Sequence, residues 1–274
     1  MAITTATTTT VIRNLTPTIT NTAIMALTIT TTNTAIVALT IATTNMDHHY
    51  HGHGPDVDLA ANNREYYDQN VYKYDNPHWL DAIKGQALAI RTAFNFDKEN
   101  TTVLDFACGT GTLARELAPY AKSIVGVDIS GEDIDVFNVK AANAGFSPDV
   151  LRGICTELKG EEGELDGEKF DLVTCCAAYH HFPDYTKVTT ILAKFLKPGG
   201  MLLVLERLAG GDQPNAMGGH DQHGHGIDSE ELYPGFQEAG LKDYSFKRTG
   251  SFDVQWMVNT SFKFFLVKGT KPTE

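Results

Sequence analysis

The chain has 274 residues, carries 22 Lys plus Arg against 34 Asp plus Glu for a formal charge of −12, and is 42% apolar. That charge argues against a nucleic-acid or anionic-membrane binder, since such affinity rests on releasing counterions to a cationic surface. The four cysteines, Cys108, Cys155, Cys175 and Cys176, form no CxxC pair, and no window approaches the ~18 apolar residues that span a bilayer, so a soluble protein of a reducing, cytoplasmic compartment is expected.

Residues 1–44 hold 18 threonines, and the segment 21–32 (NTAIMALTITTT) recurs as 33–44 (NTAIVALTIATT) with two of twelve positions changed. Two short copies are too few for a self-supporting repeat array. Three readings stay open for residues 1–46. They are a disordered or weakly β-prone extension, a transit peptide that would make the protein mitochondrial, or a start of translation at Met46. Against a transit peptide, the segment has Arg13 alone where such peptides are Arg-rich.

Residues 47–98 read as a His-rich segment (His48, His49, His51, His53) followed by a helical cap. Tyr66, Tyr67, Tyr72 and Tyr74 interleave with charge. Pro77 then opens a helix whose apolar positions Leu80, Ile83, Ala87, Ile90 and Phe94 approach a 3.6 period. From 99 to 270 short β-branched runs alternate with helical segments. Strands are predicted at Val103–Phe106, Ser123–Val127, Val150–Ile154, Phe170–Cys175 and Met201–Leu205, with helices at Leu113–Tyr120, Glu132–Ala144 and Asp184–Leu196. This alternation indicates βαβ crossovers and a parallel, doubly wound α/β sheet. A glycine- and histidine-rich loop follows over Ala209–Gly226. Ser229 is expected to cap a helix reaching about Ala239, and strands near Tyr244–Arg248 and Phe262–Lys268 complete seven.

The chemistry concentrates where the first strand ends. Val103-Leu104-Asp105-Phe106-Ala107-Cys108-Gly109-Thr110-Gly111-Thr112-Leu113 closes a strand, turns on small residues and enters a helix. Small residues let backbone approach a ligand, and a helix N-terminus offers unpaired N–H groups. Seventeen residues after Gly111 the second strand ends in Asp128, a carboxylate placed to accept both hydroxyls of a ribose. A dinucleotide site competes at the loop itself, because Gly109, Gly111 and Ala114 fit the permissive G-x-G-x-x-A form.

These motifs resemble the class I S-adenosylmethionine-dependent methyltransferases, in particular the small-molecule group similar to quinone-biosynthesis and fungal type 11 enzymes. The resemblance runs from about Asp58 to Lys268 and rests on DFACGTG, VDIS, FDLVTCCAAYHHF and LKPGG, several of which a dinucleotide site does not require. It implies a Rossmann-like sheet ordered 3-2-1-4-5-7-6 with strand 7 antiparallel, an N-terminal helical lid, and S-adenosylmethionine as cofactor. It places that cofactor against Asp105, Ala107, Cys108, Gly109 and Gly111 of the loop, Asp128 and Ile129 at the second strand, and Cys175 on the fourth. Ala107 stands where the family usually has glycine. After strand three, many relatives carry an acid near the adenine amine; here Thr156 and Glu157 are the candidates.

Methyl transfer is an in-line displacement, so a site must chiefly align two partners in a dry pocket, and a base is needed only if the acceptor loses a proton. His180 and His181 are candidate bases, with packing as the alternative. His225, among the loop histidines His220, His223 and His225, and Tyr66 on the lid are candidate pocket residues. Trp79 and Trp256 read as core or lid. No metal is expected, since the histidine motifs lack carboxylate partners. The activity implied is metal-independent methyl transfer to a small molecule at O, N, S or C. A quinone-ring C-methyltransferase and a non-catalytic cofactor-binding regulator stand beside it.

Overall fold

The computed structural model describes residues 25–31, 37–43, 58–71, 77–208, 226–254 and 260–274. Two strands of the tail, Met25–Thr31 and Val37–Thr43, form an antiparallel hairpin in which Leu27 faces Ile41 and Thr28 faces Thr40. Each twelve-residue repeat thus supplies one strand. This hairpin belongs to a unit separate from the rest of the chain.

The larger unit is built on seven strands: β1 (Thr102–Phe106), β2 (Ser123–Asp128), β3 (Leu151–Cys155), β4 (Phe170–Cys176), β5 (Leu196–Arg207), β6 (Lys242–Val254) and β7 (Thr260–Thr270). Their order is β3-β2-β1-β4-β5-β7-β6, with β7 antiparallel to both neighbours and the first five parallel. The central strands are buried on both faces and so read as unbroken apolar runs. Successive residues point to opposite sides. Leu104, Val125, Val173, Leu202 and Val267 enter one core cluster, while Val103, Ile124, Leu172, Leu203 and Leu266 enter the other.

Helices cover both faces. On one side lie α2 (Pro77–Ala93), α3 (Thr112–Leu117) and α4 (Gly131–Asn143), contributing Ile90, Leu117 and Phe137 to the second cluster. On the other lie α5 (Tyr185–Lys194) and α6 (Tyr233–Glu238), contributing Leu192 and Phe236. Ahead of them α1 (Leu59–Asn70) is capped by Asp58, whose side chain accepts from the Ala61 N–H at 3.1 Å, and no residue of α1 is buried.

Three boundaries differ from the sequence-based expectation. The helix after the loop is α for only six residues and closes as a 3₁₀ turn at Ala118–Tyr120, because Pro119 cannot extend the ladder. The final helix is capped by Asp228 rather than Ser229, in a reciprocal capping box with Glu231. Strand β5 starts at Leu196, through Lys197-Pro198-Gly199-Gly200, and ends on the charged pair Glu206-Arg207. Of the predicted loop Ala209–Gly226, residues 209–225, with His220, His223 and His225, lie outside the described residues, as do His48 to His53, Tyr72, Tyr74 and Trp256.

Candidate active site

Strand order reverses between β1 and β4, the place where doubly wound sheets hold ligands at their carboxyl ends. A cavity of about 290 Å³ opens there, near the lower end for small-molecule pockets. Its wall includes Asp105, Ala107, Cys108, Gly109, Asp128, Ile129, Thr156, His180, His181 and Tyr66, all predicted from sequence. Gly111, Glu157 and Cys175 do not line it. Gly111 lies against the Phe137 ring, Glu157 is exposed, and Cys175 is buried in β4. His225 falls outside the described residues.

The loop after β1 is held in shape by its neighbours. Ala107, Gly109 and Gly111 all have positive φ, at 55°, 50° and 72°. Ala107 pays a steric cost that glycine would not. A Cβ on Gly111 would lie 2.1 Å from the Phe137 ring, so that position tolerates nothing larger. The Cys108 N–H donates to the Val127 carbonyl at 3.1 Å, and the Gly109 N–H to Asp128 Oδ2 at 2.8 Å. Arg115 braces the far side, donating to the Thr110 carbonyl and to Thr112 Oγ1. Two loop N–H groups expected to face a ligand are therefore engaged internally, and with α3 so short, side chains rather than helix polarity dominate the site.

Those side chains are acidic. Asp105 is 2% exposed in the central strand. Its Oδ1 accepts from Thr174 Oγ1 at 2.8 Å, while Oδ2 is buried with no hydrogen-bond partner among the described residues. Burial drives its pKa up to about 7, the Thr174 bond opposes this, and the Asp128 charge adds to it. Burial likewise raises Asp128, against hydrogen bonds from the Ser130, Gly109 and Ile129 N–H groups. Asp133, in the first turn of α4, is pushed to about 7 by burial and by the charges of Asp128 and Asp68. Burial beside these carboxylates also lifts the Cys108 thiol well above its ordinary range. These three aspartates stand together on one wall of the cavity.

The opposite wall carries imidazoles. His180 Nδ1 lies 3.0 Å from Oε1 of Glu206, which is wholly buried at the end of β5. His181 Nε2 lies 2.6 Å from the Tyr67 hydroxyl, and the two histidine rings are 4.1 Å apart. Helix α1 is fastened across this region at further points. Arg64 Nε donates to the Ile129 carbonyl at 3.1 Å, and Ser130 Oγ donates to Asp68 at 2.7 Å. Trp79, Ile83, Phe182 and Phe264 supply the apolar surface.

Sequence reasoning missed Glu206, Arg207, Asp133 and Gln86 as cavity residues. A signal for the first two existed: MLLVLER is an apolar run ending in two charges, and charge at the carboxyl end of a parallel strand marks a site. Asp133 and Gln86 carried no such signal, being polar residues on helices.

The fold and cavity define a doubly wound α/β protein with a nucleoside-type site at the β1/β4 switch point. A family model described as a methyltransferase domain matches residues 78–245, and the chain belongs to that family. It is 40% identical over 118 residues to an uncharacterized methyltransferase of Schizosaccharomyces pombe, a match covering 42% of each chain. Over 127 residues it is 30% identical to a ubiquinone biosynthesis O-methyltransferase of Actinobacillus pleuropneumoniae, covering 46% of this chain and 51% of that one. The chain thus spans about half the length of the curated relatives it matches. Among solved structures, magnesium protoporphyrin IX methyltransferase of Synechocystis, with bound SAM, has a TM-score of 0.57 at 15% identity, covering 80% of this chain and 100% of that one. That likeness is one of fold.

Proposed function

We propose that the protein transfers a methyl group from S-adenosylmethionine to a small-molecule acceptor. The observation that carries this reading is Asp105 Oδ2, a buried carboxyl oxygen without a partner among the described residues, on the wall of a cavity lined by three further carboxyls, Asp128, Asp133 and Glu206. An uncompensated buried acid is costly and is relieved by a cationic ligand. The ligand's α-ammonium fits Asp105, and a sulfonium is favoured in the same acidic cavity. Asp128 would accept from the ribose, since a carboxylate has about four acceptor sites and the N–H groups of Gly109, Ser130 and Ile129 take up three. Ala107, Cys108 and Gly109 would lie along the methionine portion, with Ile129 and Thr156 toward the adenine. When bound, S-adenosylmethionine supplies an electrophilic methyl, and the chain's own residues exclude water and align the acceptor.

The wall of Tyr66, Trp79, Phe182 and Phe264 supports an apolar or aromatic acceptor, and the relatives named O-methyltransferases support oxygen over ring carbon as its nucleophile. Among the described residues no group of three His, Cys, Asp or Glu could hold a metal ion, and no helix is long and apolar enough to cross a membrane. The test is calorimetric titration of the full chain with S-adenosylmethionine, S-adenosylhomocysteine and NAD. Binding of both adenosyl ligands in the micromolar range, without NAD, is expected. Binding of NAD alone, or of none, would overturn the reading.

A further inference from the structure

A second buried carboxyl oxygen lines the cavity besides that of Asp105. Glu206, at the carboxyl end of β5, is wholly buried. Its Oε1 accepts from the Arg207 N–H at 2.7 Å and lies 3.0 Å from His180 Nδ1, whereas Oε2 is buried with no hydrogen-bond partner among the described residues. Burial pushes this carboxyl up, but the charge and hydrogen bond of His180 and the bond from the Arg207 N–H outweigh it and hold the group below its ordinary range. Glu206 is therefore a carboxylate, which can only accept, and an oxygen buried without a donor is unfavourable.

The cofactor groups assigned above do not supply that donor. Asp105 is level with Thr174, and Thr174 with Leu203, so the row of Asp105 crosses β5 three residues before Glu206. Glu206 thus lies roughly 10 Å further along the parallel strands and roughly 10 Å across the sheet. The odd offset also turns it to the opposite side, the side of Val204 and of helices α5 and α6. An ammonium at Asp105 is out of its reach, and a ribose at Asp128 and an adenine near Thr156 extend toward β2 and β3, away from β5. The donor for Oε2 belongs to a second molecule.

We infer that Glu206 is a specificity residue whose Oε2 anchors a protonated amine of the acceptor, carried on an apolar or aromatic frame. This rests on the methyl-transfer reading above. A buried carboxylate is best compensated by an opposite charge that also hydrogen-bonds it. The rings of Tyr66, Trp79 and Phe264 line the same cavity, and aromatic faces attract cations. A chain of net charge −12 favours the approach of a cation over that of an anion. The ammonium's lone pair is occupied by its proton, so the amine is the anchor, and the atom that takes the methyl group is a different one of the same molecule.

The experiment titrates the full chain, saturated with S-adenosylhomocysteine, with three molecules of one shape: phenethylamine, 2-phenylethanol and propylbenzene. Calorimetry at pH 7 should show the amine bound about 10- to 100-fold more tightly than either neutral molecule, the gain of a charge-assisted hydrogen bond. An alcohol bound as tightly as the amine, or no binding of the amine at millimolar concentration, would overturn the inference. Glu206→Gln keeps the shape and an oxygen for the Arg207 N–H. It should erase the amine's advantage and leave the affinities for propylbenzene and S-adenosylhomocysteine unchanged. An equal loss for all three probes would indicate a structural role and overturn the assignment, and the wild-type comparison stands even if the variant does not fold. The two readings fail differently: S-adenosylhomocysteine bound without a preference for the amine refutes only this inference, whereas its failure to bind the wild type refutes the methyl-transfer reading itself.

Discussion

Replacing Asp105 by asparagine should stabilise the ligand-free protein at alkaline pH while destroying its affinity for S-adenosylmethionine. The rise of the Asp105 pKa from 3.8 to about 7 corresponds to about 4 kcal/mol, at about 1.4 kcal/mol per unit. Because the folded state holds this proton more tightly than the unfolded chain, stability is unaffected below the unfolded pKa. It declines as pH rises toward 7, and the full penalty stands above that. Asp105→Asn removes this slope. It keeps an oxygen to accept from Thr174 but buries an amide N–H₂ where Oδ2 lies, at a cost of about 1–3 kcal/mol at every pH. Between pH 5.5 and 8 the variant should therefore gain about 2 kcal/mol relative to wild type, or roughly 4–8 °C in melting temperature. Urea unfolding of both ligand-free proteins at the two pH values measures the difference. A gap that stays constant over the interval would refute the argument that an uncompensated buried charge resides at Asp105.

Asp128→Ala removes the acceptor for the Gly109 N–H and for the ribose together, and calorimetry should show S-adenosylmethionine binding weakened by about 10- to 100-fold, or about 1–3 kcal/mol; unchanged affinity would exclude the ribose role. Gly111→Ala sets a methyl group against Phe137 in a left-handed conformation, so thermal unfolding should report a loss of about 2–5 kcal/mol, and a wild-type melting curve would mean the loop is built differently. Ala107→Gly relieves a positive φ but loosens the unfolded chain, giving a gain of up to about 1 kcal/mol. A loss larger than that would reveal a packing role for the Ala107 methyl. Turnover should survive exhaustive treatment with a chelator, and its abolition would assign a metal to the site.

The parts of the molecule legible in advance are those whose determinants lie close together along the chain. The β1–loop–α3 segment combines an apolar strand, small residues at 107, 109 and 111, and a helix within twelve residues, so the loop and Asp128 could be located without coordinates. Alternating strands and helices carried the sheet order by resemblance. What stayed hidden is non-local. Tyr67 meets His181 across 114 positions, and Asp68 meets Ser130 across 62. No spacing rule links such pairs, because their proximity is created by the crossovers between them. Helix α1 itself reads weakly, since LAANNREYYDQN presents no apolar stripe. The polar lengths of β6 were likewise underestimated, as an outermost strand needs little apolar burial to be held by its ladder to β7.

Helix α1 has twelve residues and buries none of them, yet it crosses the cavity on bonds from Arg64, Tyr67 and Asp68. A bond of this kind contributes about 1 kcal/mol net, somewhat more where a charged group takes part, so these bonds together are a small part of the global unfolding free energy, and neither core cluster includes a residue of the helix. Ligand exchange and fold integrity are thus separable quantities. Salt or single changes on the outer face of this one element can alter how often the cavity is exposed to water, while the sheet beneath keeps its geometry.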